Sequence, residues 1–134
     1  MKAYIADTHS LIWHLQSSPR LSSRVRSIFS RADNGKSSIV IPTILLVEMT
    51  YLAEKKRIAP ALVKTALDLL RRESTNYRLA LLDLAVIEVL GQVPRAIVPD
   101  MPDRIIAATA LALGLPLLSR DRALAAVEGL KVIW

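Results

Sequence analysis

Lys2-Ala-Tyr-Ile-Ala-Asp7-Thr8-His9-Ser10 is the stretch from which the rest of the chain can be read. Lys2 to Ala6 is a short, mostly apolar run of the kind that makes a buried strand. Asp7 interrupts it, and Thr8-His9-Ser10 opens an amphipathic stretch, Leu11 to Leu15, with helical character. A strand that stops at a carboxylate and turns at once into a helix places that carboxylate on the C-terminal edge of a sheet. In open α/β sheets, ligands bind along that edge. Asp7 also has an ordinary reading as the N-cap of the helix it precedes. What separates the two readings is whether the arrangement recurs.

It does. Ser38 to Ile41 predicts a second strand, closed by Pro42, and Thr43 to about Lys56 a helix with almost no polar face. Ser22 or Ser23 caps an earlier helix through Ala32, and Pro60 starts another that runs to Arg72. Tyr77 to Leu82 is a third strand, with Asp83 capping Leu84 to Leu90. Asp100-Met-Pro-Asp103 leads into the helix Arg104 to Leu113, which Gly114 is placed to end. Leu115 to Leu118 is a fourth strand, then Ser119-Arg-Asp121, a short helix at Arg122 to Val127, and a last strand at Leu130 to Trp134. Strands alternating with helices predict an α/β fold with a central, mostly parallel sheet, in one domain over residues 1–134.

Four acids fall where acids are costly or oddly repeated. Asp7 ends the first strand, and Asp121 follows the fourth by the same logic. Glu48 lies inside Ile-Leu-Leu-Val-Glu-Met, where an unpaired buried carboxylate would cost several kcal/mol. Asp103 lies in the first turn of its helix, where the dipole favours negative charge whatever the function; Asp100, three residues earlier, is the better cap. Singly, each has an ordinary explanation. Together, they fall on one edge of a parallel sheet. Carboxylates converging there repel unless cations neutralise them. Oxygen-only ligation, in a chain with no cysteine, points to Mg²⁺ or Mn²⁺.

Composition fits that chemistry. Eighteen Lys and Arg against twelve Asp and Glu give a net charge of +6 and a pI near 10.1. Such a balance suits a polyanionic partner, nucleic acid before a membrane surface. No apolar run reaches the roughly 18 residues of a membrane span, and no export signal opens the chain, so a cytoplasmic location is expected. An acidic, metal-loaded pit in a basic protein suits phosphodiester hydrolysis. His9 and His14 lie roughly 140° apart around one helix. They do not face each other, which disfavours a two-histidine ribonuclease and leaves both with structural roles. Lys55-Lys-Arg57 and Arg71-Arg72 read equally as dipole complements and as nucleic-acid contacts.

Four blocks in order carry a family resemblance: Tyr-Ile-Ala-Asp7-Thr-His-Ser-Leu-Ile-Trp, Pro-Thr-Ile-Leu-Leu-Val-Glu48-Met, Pro-Asp-Met-Pro-Asp103-Arg-Ile-Ile-Ala-Ala-Thr-Ala and Leu-Leu-Ser-Arg-Asp121. With these the chain resembles a PIN domain, most closely the VapC-type toxins of bacterial and archaeal toxin–antitoxin systems. The resemblance implies a three-layer α/β/α fold and a Mg²⁺- or Mn²⁺-dependent endoribonuclease. It also implies a homodimer held in check by a small antitoxin. By position, Asp7, Glu48, Asp103 and Asp121 match the family's acidic site, with Asp100 as a further acid. Thr8 and Ser119 match supporting hydroxyls, although Ser119 stands where Thr is common. Two other classes stay open: a catalytically silent PIN-fold RNA-binding or scaffold module, and a receiver-type signalling domain. The latter would want an acidic pair after the first strand, where this chain has Asp7 alone. Leu11, Ile12 and Leu15, with the apolar residues of Thr43 to Lys56, are candidates for a groove taking an antitoxin helix, or for ordinary core.

Overall fold

A computed structural model describes every residue of the chain except Ser74. Five strands form one sheet in the order β3-β2-β1-β4-β5, with β1 (Lys2–Ala6) at its centre. β2 (Ser37–Pro42) and β4 (Leu117–Leu118) flank it; β3 (Tyr77–Ala80) and β5 (Val132–Ile133) form the edges. Every pairing is parallel, so the expected mostly parallel sheet is parallel throughout. In register, Ile5 lies beside Val40 on one side and Leu117 on the other.

Parallel neighbours cannot be joined by a hairpin, so each connection is a helical crossover. α1 (Thr8–Leu15) and α2 (Ser23–Asp33) join β1 to β2, and α3 (Thr43–Glu54) and α4 (Pro60–Arg71) join β2 to β3. α5 (Leu84–Leu90) and α6 (Met101–Leu113) carry the chain across to β4, and α7 (Arg122–Ala125) links β4 to β5. The sheet's side chains alternate between two cores, as the period of a strand requires. Ala6, Ile39, Ile41 and Leu118 point to the core made with α1 to α4, where Leu11, Phe29, Leu45 and Met49 are fully buried. Ile5, Val40 and Leu117 point to the core beneath α5 to α7. There Ala107, Ala108 and Ala110 keep α6 thin enough to lie close against the sheet. The result is the three-layer α/β/α arrangement.

Three strands are shorter than their sequences suggest, because a strand lasts only as long as its neighbour. β3 pairs with β2 alone and stops with it at Pro42–Ala80, leaving Leu81 and Leu82 exposed. β4 starts at Leu117, not Leu115, since Pro116 has no N–H to pair. β5 keeps only the two residues that match β4, and α7 ends at Ala125 instead of Val127. Leu11 and Ile12 are 0% and 2% exposed, so α1 contributes core here and not a groove. α3 does leave Val47 and Tyr51 exposed. Among the described residues, no helix is long and apolar enough to cross a membrane.

His14 has the structural role expected of it. Its ring stacks on Phe29 at 4.3 Å between centroids, and its Nε2 lies 3.2 Å from Asp33 Oδ2. The Tyr77 hydroxyl donates to the other Asp33 oxygen at 2.7 Å. Three elements, α1, α2 and the edge strand β3, are thereby tied at one polar junction.

Candidate active site

β1 has β2 on one side and β4 on the other, so the connections leaving β1 and β4 diverge. A crevice must open at the C-terminal ends of those two strands, the place where open α/β sheets bind ligands. Asp7 leaves β1 there, and Ser119-Arg120-Asp121 leaves β4. The α3 helix brings Glu48 from the β2 side, and the start of α6 brings Asp100 and Asp103. Together with His9, Trp13 and Arg120, these five acids line one cavity of about 390 Å³. A cleft of about 410 Å³ between β3, α5 and α6 is slightly larger, but its lining is mostly apolar, with Arg78 and Asp83 its only charged residues.

The cap reading and the site reading of these acids prove compatible. Asp7 Oδ1 accepts from Ser10 N at 2.9 Å, Asp100 Oδ2 from Asp103 N at 3.2 Å, and Asp121 Oδ1 from Ala123 N at 2.9 Å. Each is therefore the N-cap of a helix that starts at the crevice. A cap needs one carboxylate oxygen, and a carboxylate has two. The helix N-termini also turn their partial positive charge toward the crevice, easing the crowding of negative charge. Glu48 is half-buried and accepts the hydroxyl proton of buried Thr8. Ser119 is 1% exposed and its Oγ accepts from Asp121 N at 3.0 Å. Thr8 thus bonds the side chain, and Ser119 the backbone, of an acid that lines the cavity.

Burial pushes the Asp7 carboxyl above the usual range; hydrogen bonds from Ser10 and Ser119 and the charge of His9 bring it only part of the way back. Asp103 is pushed up to about 7, first by burial and then by the charges of Asp100, Glu48, Asp121 and Asp7. Among the described residues, no three Asp, Glu, His or Cys groups lie close enough together to hold one metal ion. A spread arrangement is what mutual repulsion favours. The donors nonetheless suit a hard divalent cation: every carboxylate offers oxygen, and Asp103 gives up its proton most readily beside a positive charge.

A stability test follows from Asp103. A carboxylate whose folded pKa is raised stabilises the protein below its unfolded value of 3.8, and that contribution is lost as pH rises through about 7. In chelator at pH 8, Asp103→Asn should therefore unfold less readily than wild type. After discounting for the solvent that still reaches the group, the gain should be about 1–2 kcal/mol. It should shrink steadily toward pH 4. His14, whose pKa is lowered by burial, acts in the opposite direction below pH 6.5, but it is common to both proteins and cancels. Denaturant melts of the two proteins across that pH range check this, and an Asn variant less stable at pH 8 would refute it.

Three lining residues were not expected at the site, and one of them, His9, was expected to have a structural role. His9 is exposed on the cavity wall, not tucked into a structural role as His14 is. Trp13 is one helical turn further along α1, and Arg120 sits between Ser119 and Asp121. The i, i+4 spacing of His9 and Trp13, starting two residues after Asp7, was the available signal.

A family model described as PIN domain matches residues 4–130. No curated protein sequence matches the chain. Among solved structures, DNA-bound VapBC from Salmonella typhimurium superposes with a TM-score of 0.73 at 20% identity, covering 99% of this chain and 98% of that one. VapBC2 from Rickettsia felis, bound to a DNA fragment from its promoter, gives 0.72 at 18% identity over 98% and 97% of the two chains. VapBC-1 from nontypeable Haemophilus influenzae gives 0.70 at 16% identity over 98% and 96%. At these identities the likeness is one of fold.

Proposed function

Because the chain belongs to the PIN-domain family, we propose that it is a Mg²⁺- or Mn²⁺-dependent endoribonuclease, the toxin of a type II toxin–antitoxin pair. In this reading residues 1–134 form one such unit, working in the cytoplasm. The observation that carries it is the gathering of five carboxylates at the switch point of the sheet, in a chain that is otherwise strongly basic. With five of the twelve acids in that cavity and Arg120 beside them, the rest of the chain sets seventeen Lys and Arg against seven acids. That outer charge attracts a phosphate backbone, while the cavity accepts a phosphodiester only together with cations.

Asp7, Glu48, Asp103 and Asp121 would close in on the ion, whose charge offsets the repulsion that keeps them apart without it, with Asp100 at the rim. When bound, a divalent ion of this kind activates water and offsets charge on the leaving oxygen. The chain's own residues prepare the place. Thr8 fixes the Glu48 carboxylate, Ser119 steadies Asp121 through its backbone N–H, and capping holds Asp7, Asp100 and Asp121 each against a rigid helix start. Arg120 supplies a cationic side chain at the same wall.

The test is cleavage of single-stranded RNA by purified protein. Cleavage should require Mg²⁺ or Mn²⁺, stop in EDTA and return when the metal is restored. Products should carry 5′-phosphate and 3′-hydroxyl ends, because His14 is engaged with Asp33 and only His9 reaches the cavity, leaving no histidine pair to drive 2′-hydroxyl attack. Activity in excess EDTA, or cyclic phosphate ends, would overturn the mechanism. The rival reading is a catalytically silent RNA-binding or scaffold module; RNA bound but never cut would establish it.

The structural neighbours crystallised as VapBC complexes, which supports a small antitoxin as partner, and the family resemblance supports a homodimer. An apolar cleft between α3 and α4, lined by Ala53, Pro60, Val63 and Leu67, is a surface a partner helix could use. A co-expressed antitoxin that copurifies and blocks cleavage would bear this out; one that leaves cleavage unchanged would not.

A further inference from the structure

We propose that Trp13 is a stacking platform for one unpaired RNA base beside the acidic cavity, with Arg120 as its cover and His9 at its edge. The inference deepens the nuclease reading and rests on it, since it names single-stranded RNA with a splayed base as the substrate class. Trp13 faces the same cavity as the carboxylates, so a nucleotide whose phosphate lies at the acids brings a base within reach of the indole.

The ring is held in place, not loosely exposed. Trp134 meets it edge-on at 5.8 Å and 65°, and His9 leans on it at 5.5 Å and 48°. Such edge and tilted contacts fix the plane of an indole while leaving a face available. The Arg120 guanidinium lies over the ring, 6.0 Å from its centroid. Arg120 shares its cavity with five acids, yet among the described residues it forms no ion pair. An exposed guanidinium that pairs with none of these carboxylates and lies over an indole has only to swing outward for a flat ring to enter between the two. Bases stacked on aromatic rings and Arg planes are how unpaired RNA is gripped. This wall is also the part of the cavity that does not repel a polyanion.

The test is fluorescence anisotropy with a 5′-fluorescein-labelled single-stranded RNA decamer in Ca²⁺ buffer, the decamer's integrity checked by gel after each titration. Trp13→Ala should weaken binding by between about 5- and 150-fold, the range for losing one stacked base. Trp13→Phe should stay within about threefold. In wild type, one abasic position of the decamer should give a matching loss that does not add to Trp13→Ala. Should Trp13→Ala fail to fold, exposed Arg120→Ala carries the test, with an expected loss of about 2- to 30-fold. An unchanged Kd for the variant tested, or equal losses at every abasic position, overturns the platform. Equal weakening by Trp13→Phe and Trp13→Ala overturns it too. If Trp13→Ala binds as wild type and still cuts RNA in Mg²⁺, the platform fails alone and the nuclease reading stands. Trp13-dependent binding by a wild-type protein that never cuts supports the platform and overturns the nuclease.

Discussion

Asp7→Asn is expected to lower RNA cleavage by at least about a thousandfold and to leave the fold standing. The loss should be large because Asp7 sits at the switch point itself, immediately after the central strand, and is 7% exposed. A carboxylate lost from a metal site removes several kcal/mol of transition-state stabilisation, and each 1.36 kcal/mol is a factor of ten. The fold should survive because Asn is as good an N-cap as Asp and keeps a side-chain oxygen for Ser10 N–H. Burial already disfavours the charged form of Asp7, so a neutral residue there removes a cost instead of adding one. Single-turnover cleavage assays and thermal melts, run side by side, measure both halves. If Asp7→Asn cleaves within tenfold of wild type, Asp7 is only a helix cap.

Phe29→Ala should do the reverse. It leaves the acidic cavity's lining unchanged and should cost about 3–5 kcal/mol of stability. Phe29 is fully buried on α2, and its ring is the surface on which His14 stacks. Truncation opens a cavity in the larger of the two cores and removes one face of the His14–Asp33–Tyr77 junction. For a chain of 134 residues the melting temperature should fall by roughly 10–20 °C. Because burial is what chiefly lowers the His14 pKa, water entering that cavity should also let it rise toward its ordinary value. Calorimetry reads the first effect and an NMR titration of His14 the second. A drop below about 1 kcal/mol would mean that the core closes over the gap.

Sequence alone determined the fold class and which acids stand at strand ends and helix starts, because both depend on local rules. Strands show as short apolar runs, helices as caps and periodicity, and Asp7, Asp83, Asp100 and Gly114 stand at helix ends where the caps are observed. Tertiary structure alone decided what those acids share a space with. Ala6 and Leu118 are register partners though 112 residues apart in the chain, and nothing in either segment announces the other. Thr8 finds Glu48 across 40 residues in the same way. The strand lengths, the burial of Leu11 and Ile12 and the meeting of Trp13, Trp134 and Arg120 were likewise set by neighbours distant in sequence. A side chain's type and local periodicity fix the kind of element it joins, but which wall it forms depends on sheet order, and sheet order is settled only when all five strands have packed.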